Sequence, residues 1–102
     1  MAKKSNEFEV SAVAPGKTTL VEVDDEDVAV FNVGGSLYAT QAACTHAEGP
    51  LNEGVLEGTC ITCPWHDSQF DVITGQVLRG PAKQPLKTYR VTISNGTGIV
   101  EE

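Results

Sequence analysis

Nine glycines and prolines divide the middle of the chain, between Gln41 and Pro85, into pieces too short for a long helix or strand. Both residue types disfavour the interiors of helices and strands, so this segment is expected to be rich in loops. The apolar stretches that remain are brief, and a segment of this kind has little core of its own. We therefore interpret residues 41–85 as an inserted subdomain that needs a further source of stability.

The sequence on either side of this segment is typical of an all-β domain. No window of eleven or more residues has the apolar periodicity of a helix, whereas short β-rich runs alternate with turn residues. Gly34-Gly35 and Asn95-Gly96 predict tight hairpin turns. The predicted strands are Phe8–Val13, Thr18–Val23, Val28–Val33, Ser36–Thr40, Leu86–Ser94 and Gly98–Glu101, with shorter apolar pieces at Val55–Leu56, Thr59–Thr62 and Phe70–Ile73 inside the insert.

Length and charge restrict the class of function. A chain of 102 residues suffices for a single domain, which we place at 1–102. Fourteen acidic and seven basic residues give a net charge of -7, which argues against nucleic acid and anionic membranes as partners and favours a basic protein surface. The apolar runs are too short to span a bilayer, and the amino terminus lacks the apolar region of a secretory signal. A cytoplasmic location is expected, where the three cysteines favour metal binding over a disulfide.

Both histidines of the chain lie close to a cysteine. Cys44 and His46 are separated by one residue, Cys63 and His66 by two, and sixteen residues lie between His46 and Cys63. Thiolate and imidazole are strong metal ligands, and both pairs fall in the glycine-rich insert. The four side chains therefore predict a metal site that stabilises this segment.

The spacing favours one kind of metal centre over two others. Zinc knuckles usually separate their ligands by two to four residues, so Cys44-Thr45-His46 is awkward for a single tetrahedral ion. A mononuclear iron with this ligand set is rare. A [2Fe-2S] cluster with cysteines on one iron and histidines on the other removes the difficulty, because each loop then supplies one ligand to each iron. The mixed cluster is the leading interpretation, and a zinc-stabilised interaction module remains an alternative.

The pattern Cys44-x-His46 followed by Cys63-x-x-His66 resembles the Rieske motif. The surrounding stretches CTHAEGPL and CPWHDSQFDVITGQVLRGPA resemble the Rieske-type ferredoxins of bacterial ring-hydroxylating dioxygenase systems, which act in aromatic hydrocarbon catabolism. The resemblance covers roughly Phe8 to Val100, and it implies an all-β fold with a β-sandwich base, an inserted cluster-binding subdomain and one [2Fe-2S] cluster. The implied function is that of a soluble, monomeric electron carrier, not an enzyme, between a flavin-containing NAD(P)H-dependent reductase and a terminal Rieske oxygenase.

The resemblance also suggests which side chains surround the cluster. Respiratory Rieske proteins have an additional, disulfide-bonded cysteine in each ligand loop, where this chain has Gly49 and Trp65. They also have a serine and a tyrosine that donate hydrogen bonds towards the cluster sulfurs, and this chain keeps Ser68 but replaces the tyrosine with Phe70. Fewer donors predict a reduction potential towards the low end of the Rieske range. The full predicted set is Gly49, Pro64, Trp65, Ser68, Phe70 and Pro81.

Several alternatives concern the whole protein. A small Rieske subunit of a nitrite reductase or of another oxidoreductase has the same motif. A terminal oxygenase is excluded because its mononuclear iron needs two further histidines. A reductase would need a nucleotide-binding motif such as G-x-G-x-x-G, which the sequence lacks.

Four other features have simpler interpretations. Cys60 is expected to be a buried structural cysteine, because the motif is complete without it. Trp65 either mediates electron transfer, or it covers the cluster or makes a docking contact with a partner. Glu48 and Asp67 either steer a basic partner or are solvated surface charges, and the acidic run from Asp24 to Asp27 is expected to be an exposed turn.

Overall fold

The computed structural model describes residues 6–45, 49–65, 67–80 and 82–102. These residues form ten β-strands in two antiparallel sheets, with two short 3-10 helices at Val10–Ala12 and Leu51–Glu53. The all-β prediction is confirmed. The strands are β1 (Glu7–Glu9), β2 (Thr18–Val23), β3 (Glu26–Val33), β4 (Ser36–Gln41), β5 (Val55–Glu57), β6 (Cys60–Thr62), β7 (Gln69–Asp71), β8 (Val77–Arg79), β9 (Thr88–Ser94) and β10 (Thr97–Glu101).

The larger sheet has the strand order β1-β10-β9-β4-β3-β2. Its tight hairpins use residues with positive φ, the conformation that a two-residue turn between antiparallel strands requires. Gly34-Gly35 joins β3 to β4 with φ of 60° and 99°, and Asn95-Gly96 joins β9 to β10 with φ of 50° and 79°, so both predicted turns are confirmed. Asp24 and Asp25 form the exposed β2–β3 turn with φ of 51° and 67°, as predicted. Glu26 and Asp27 are exposed as well, but they begin β3, so the predicted turn is shorter than expected.

The predicted first strand is wrong over its second half. β1 ends at Glu9, and Val10–Ala12 form a 3-10 turn instead of continuing the strand. The side chain of Asn32, only 6% exposed, donates from Nδ2 to the carbonyl of Val13 at 2.7 Å and so draws the chain back towards β3. A buried amide needs such a partner, and satisfying it outweighs the extended preference of the local sequence.

The smaller sheet, β5-β6-β7-β8, lies within the glycine- and proline-rich segment between β4 and β9. β8 was not predicted from the sequence, because its three residues are too few for a periodic pattern. The segment completes its core with residues of the larger sheet. Its buried Leu51, Ile61 and Phe70 pack in one apolar cluster with Ala29 and Phe31 of β3, so the two sheets share a core.

A second apolar cluster fills the interior of the larger sheet, with Val21, Val28, Val30, Ala39 and Val100 buried. The first cluster therefore packs between the two sheets, whereas the second stabilises the larger sheet. Across the described ranges, no helix is both long enough and apolar enough to cross a bilayer.

Candidate metal centre

Two loops of the same construction present the predicted cysteine ligands. The first is closed by a hydrogen bond of 2.9 Å from the Cys44 amide to the Gly49 carbonyl, and the second by one of 2.8 Å from Cys63 to Ser68. In both, the donor is the cysteine and the acceptor lies five residues later. The second loop continues the β6–β7 pairing, while the first is joined at its base by the bridge between Ala43 and Pro50. Each cysteine therefore lies at the neck of its loop, the point where β pairing holds the two ends of the loop together.

The thiols of Cys44 and Cys63 meet between these two loops. Both carry free thiols, they are 1% and 0% exposed, and they belong to the same buried cluster. Burial raises the pKa of the Cys63 thiol, and the neighbouring Cys44 raises it further, against the opposing effect of the Trp65 amide. The buried Cys63 thiol therefore favours its neutral form unless a cation compensates the thiolate. The pair therefore fits a metal centre, which supplies that positive charge.

Gly49 lets the backbone of the first loop lie close to the Cys63 sulfur. A Cβ added to this residue would stand 2.7 Å from the Cys63 Sγ, closer than van der Waals contact permits. The backbone of the first loop thus approaches the sulfur from the second, as only glycine allows. The first loop therefore covers the sulfur that the second loop presents.

A third segment, 82–84, is hydrogen-bonded to both loops. The amide of Ala82 donates to the Ser68 Oγ at 3.0 Å in a buried contact. The hydroxyl of Thr45 donates to the Gln84 carbonyl at 2.7 Å. The roles of Thr45, Ala82 and Gln84 were missed by the sequence reasoning, because no residue type marks a backbone partner 39 positions away.

The remaining predicted residues fall into different environments. Ser68 and Phe70 are fully buried, and Phe70 belongs to the apolar cluster that includes Cys44 and Cys63. Pro64 is exposed, and Trp65 is 51% exposed. The predictions for His46, Glu48, His66 and Pro81 lie outside the described residues.

Cys60 is partly exposed in β6 and not buried, so that prediction is wrong. Partial burial still raises the pKa of its thiol, opposed by a hydrogen bond with Thr62. β6 pairs Cys60 with Glu57 on one side and Asp71 on the other. Its place within a sheet separates it from the loops that present Cys44 and Cys63.

Asp67 has a left-handed backbone, with φ of 59°, directly after the position of His66. Aspartate tolerates this region better than most residues, so it allows the second loop to turn tightly. Its carboxylate is exposed, and it acts to raise the pKa of the Cys63 thiol. The Asp67 charge therefore acts electrostatically on the Cys63 thiol.

Comparison with known proteins identifies the family. Residues 4–90 match the Rieske [2Fe-2S] domain. The ferredoxin component of the naphthalene 1,2-dioxygenase system of Pseudomonas putida is 41% identical over 86 residues, which cover 84% of this chain and 83% of that protein. The ferredoxin of Sphingomonas yanoikuyae B1 is 35% identical, with a TM-score of 0.89 over 98% of this chain and 99% of that one. A chain from a complex of reduced oxygenase and oxidised ferredoxin in carbazole 1,9a-dioxygenase is 36% identical, with a TM-score of 0.85 over 90% of this chain and 95% of that one.

A more distant similarity shows the fold alone. The small subunit of a putative NADPH nitrite reductase has a TM-score of 0.77 at 24% identity, over 99% of this chain and 100% of that one. The cofactor follows from the family and from the thiol pair: one [2Fe-2S] cluster, in place of the alternative zinc ion. The chain belongs to the Rieske [2Fe-2S] domain family.

Proposed function

We propose that this protein is the one-electron carrier of a bacterial ring-hydroxylating dioxygenase system. It would receive electrons from a flavin-containing, NAD(P)H-dependent reductase and deliver them to a terminal Rieske oxygenase. The observation that carries the proposal is the pair of buried thiols at the necks of two matching loops, in a chain whose relatives are ferredoxin components. The [2Fe-2S] cluster supplies the chemistry when bound, because it gains and releases a single electron.

Four side chains would hold the cluster in this proposal. Cys44 and His46 would come from the first loop, and Cys63 and His66 from the second. The thiolates would bind one iron and the imidazoles the other, so that each loop contributes to both. Burial of both sulfurs keeps water away from them, and the closing hydrogen bonds of the loops hold them in position.

The surroundings favour a low reduction potential. Phe70 is fully buried in the apolar cluster that includes both cysteines, and its ring has no hydroxyl to donate to a cluster sulfur. Ser68 retains a buried hydroxyl close to the loop neck. Because hydrogen bonds to the sulfurs stabilise the reduced cluster, one hydroxyl in place of two lowers the potential.

The charge of the chain suits transient binding to basic protein surfaces. A net charge of -7 would accelerate encounter with a positively charged site on the reductase or oxygenase, and this effect would weaken with salt. A monomer in the cytoplasm is the form that we propose, because a carrier that exchanges between two partners benefits from a small, freely diffusing body.

Spectroscopy and reconstitution test the proposal. The purified protein should contain two irons and two sulfides, and the dithionite-reduced protein should give the low average g value of a cluster with mixed ligands. Added to a purified dioxygenase reductase and oxygenase, it should couple NAD(P)H oxidation to product formation. A colourless zinc protein, or a cluster protein that reduces a nitrite reductase but no oxygenase, would contradict the proposal.

A further inference from the structure

Trp65 is the largest side chain near the metal centre and the only tryptophan of the chain. It belongs to the second ligand loop, yet its nearest neighbours include the first. The position that a Cβ on Gly49 would occupy lies 3.1 Å from the Trp65 Cγ and 3.2 Å from its Cβ. The indole is 51% exposed, so about half of it is covered by the protein. The Cβ and Cγ atoms of Trp65 therefore pack directly on the Gly49 backbone, which belongs to the other loop.

The same residue also contacts a ligand sulfur. The backbone amide of Trp65 donates towards the Cys63 Sγ at 3.4 Å, and Gly49 approaches that sulfur from the other loop. Cys63, Gly49 and Trp65 thus form one compact group. Any side chain on Gly49 would separate its members, since the same Cβ would overlap the sulfur at 2.7 Å.

Two hydrogen bonds among the described residues link the ligand loops through the third segment. Thr45 reaches Gln84, and Ser68 is reached by Ala82, so these hydrogen bonds connect the loops only indirectly. The contact of Trp65 with Gly49 is direct. An aromatic ring packed on a glycine also excludes water from the sulfur beneath it.

We propose that Trp65 is a positioning residue that clasps the two ligand loops together and covers the Cys63 sulfur, and that this contact sets the lifetime of the bound cluster. The inference rests on the proposed ligand set. Among the sequence interpretations of Trp65, it selects the cover. The indole acts through the loops and the sulfur.

The experiment compares three variants as purified holoproteins. Trp65→Ala removes the clasp, Trp65→Phe keeps a flat ring over Gly49, and Leu78→Ala is the matched control. Leu78 is an apolar side chain on β8 that is also 51% exposed. The readout is the first-order decay of visible absorbance in excess EDTA, together with the reduction potential of each protein.

Trp65→Ala should lose its cluster on the order of tenfold faster than the parent, the factor for about 1.4 kcal/mol of lost contact. Trp65→Phe should recover most of the lifetime, and Leu78→Ala should match the parent. The potential of Trp65→Ala should rise, since water then reaches the sulfur, whereas a general loss of stability would leave it unchanged. If Trp65→Ala assembles no cluster, Trp65→Leu should give a lifetime below that of Trp65→Phe.

Equal lifetimes and potentials for Trp65→Ala and the parent would overturn the inference. So would a Trp65→Ala protein with a normal lifetime but slow reduction by the reductase, since Trp65 would then be a docking residue. A parent without any cluster would overturn the proposed function as well. The two failures are distinguished by the iron content of the parent.

Discussion

Ser68→Ala tests the most deeply buried polar contact of the metal centre. The Ser68 hydroxyl is fully buried and accepts a hydrogen bond of 3.0 Å from the amide of Ala82, which is itself only 4% exposed. Alanine would leave that amide without its acceptor. A buried unsatisfied amide costs about 1–3 kcal/mol. In a chain of this size, each kcal/mol lowers the melting temperature by about 4–8 °C, so we expect a decrease of at least about 4 °C.

The same change should lower the reduction potential. The bond from Ala82 uses a lone pair of the Ser68 oxygen and leaves the hydroxyl proton available to a cluster sulfur. Without that donor the reduced cluster is stabilised less. Thr40→Val is the matched control, because Thr40 is also fully buried and its hydroxyl donates to the Gln41 carbonyl, within β4 of the larger sheet. The control should lower stability without moving the potential.

Thermal unfolding followed by circular dichroism and a redox titration measure the two effects on the same samples. An unchanged melting temperature for Ser68→Ala would refute the argument from the buried amide. A lower melting temperature with the parental potential would show that the hydroxyl proton does not reach the cluster. An equal shift of potential in Thr40→Val would show that the potential follows stability in general.

Three further changes probe separate features. Gly49→Ala should shorten the cluster lifetime in EDTA by more than Trp65→Leu does, because its Cβ would overlap the Cys63 sulfur at 2.7 Å, and a parental decay rate would contradict this. Glu102 raises the pKa of Asp24, so the folded state is penalised at neutral pH and the penalty disappears as pH falls below the unfolded pKa. Asp24→Asn should therefore raise the urea midpoint at pH 7 but not near pH 3.5, and an equal gain at both would exclude this cause. Cys60→Ser should leave the visible and EPR spectra unchanged, since Cys60 lies in β6, and loss of colour would contradict that placement.

The turns and the ligand pattern could be predicted because they depend on neighbours in sequence. Gly34-Gly35 and Asn95-Gly96 adopt positive φ for reasons contained in the residues themselves. The spacing of Cys44 and Cys63 from their histidines is likewise local. It indicates which metal centre can form, even though the histidines themselves lie outside the described residues.

The environment of that centre could not be predicted in the same way. Burial of Cys60 was expected from residue type, but exposure depends on what packs over a strand, and β6 leaves this thiol partly open. β1 ends at Glu9, and we attribute this to the hydrogen bond from the Asn32 side chain to the Val13 carbonyl. The local sequence pattern gives no sign of that bond.

Local sequence was enough to predict an all-β chain with two cysteine–histidine pairs, and to favour a [2Fe-2S] cluster over zinc. Three features depend on tertiary packing: the core that the insert shares with β3, the packing of Trp65 on Gly49, and the hydrogen bonds from segment 82–84 to both loops. The reason is that φ preference and ligand spacing act over a few residues. Contacts such as Thr45 with Gln84 instead require two distant segments to meet, and the packing of the whole chain sets where they do.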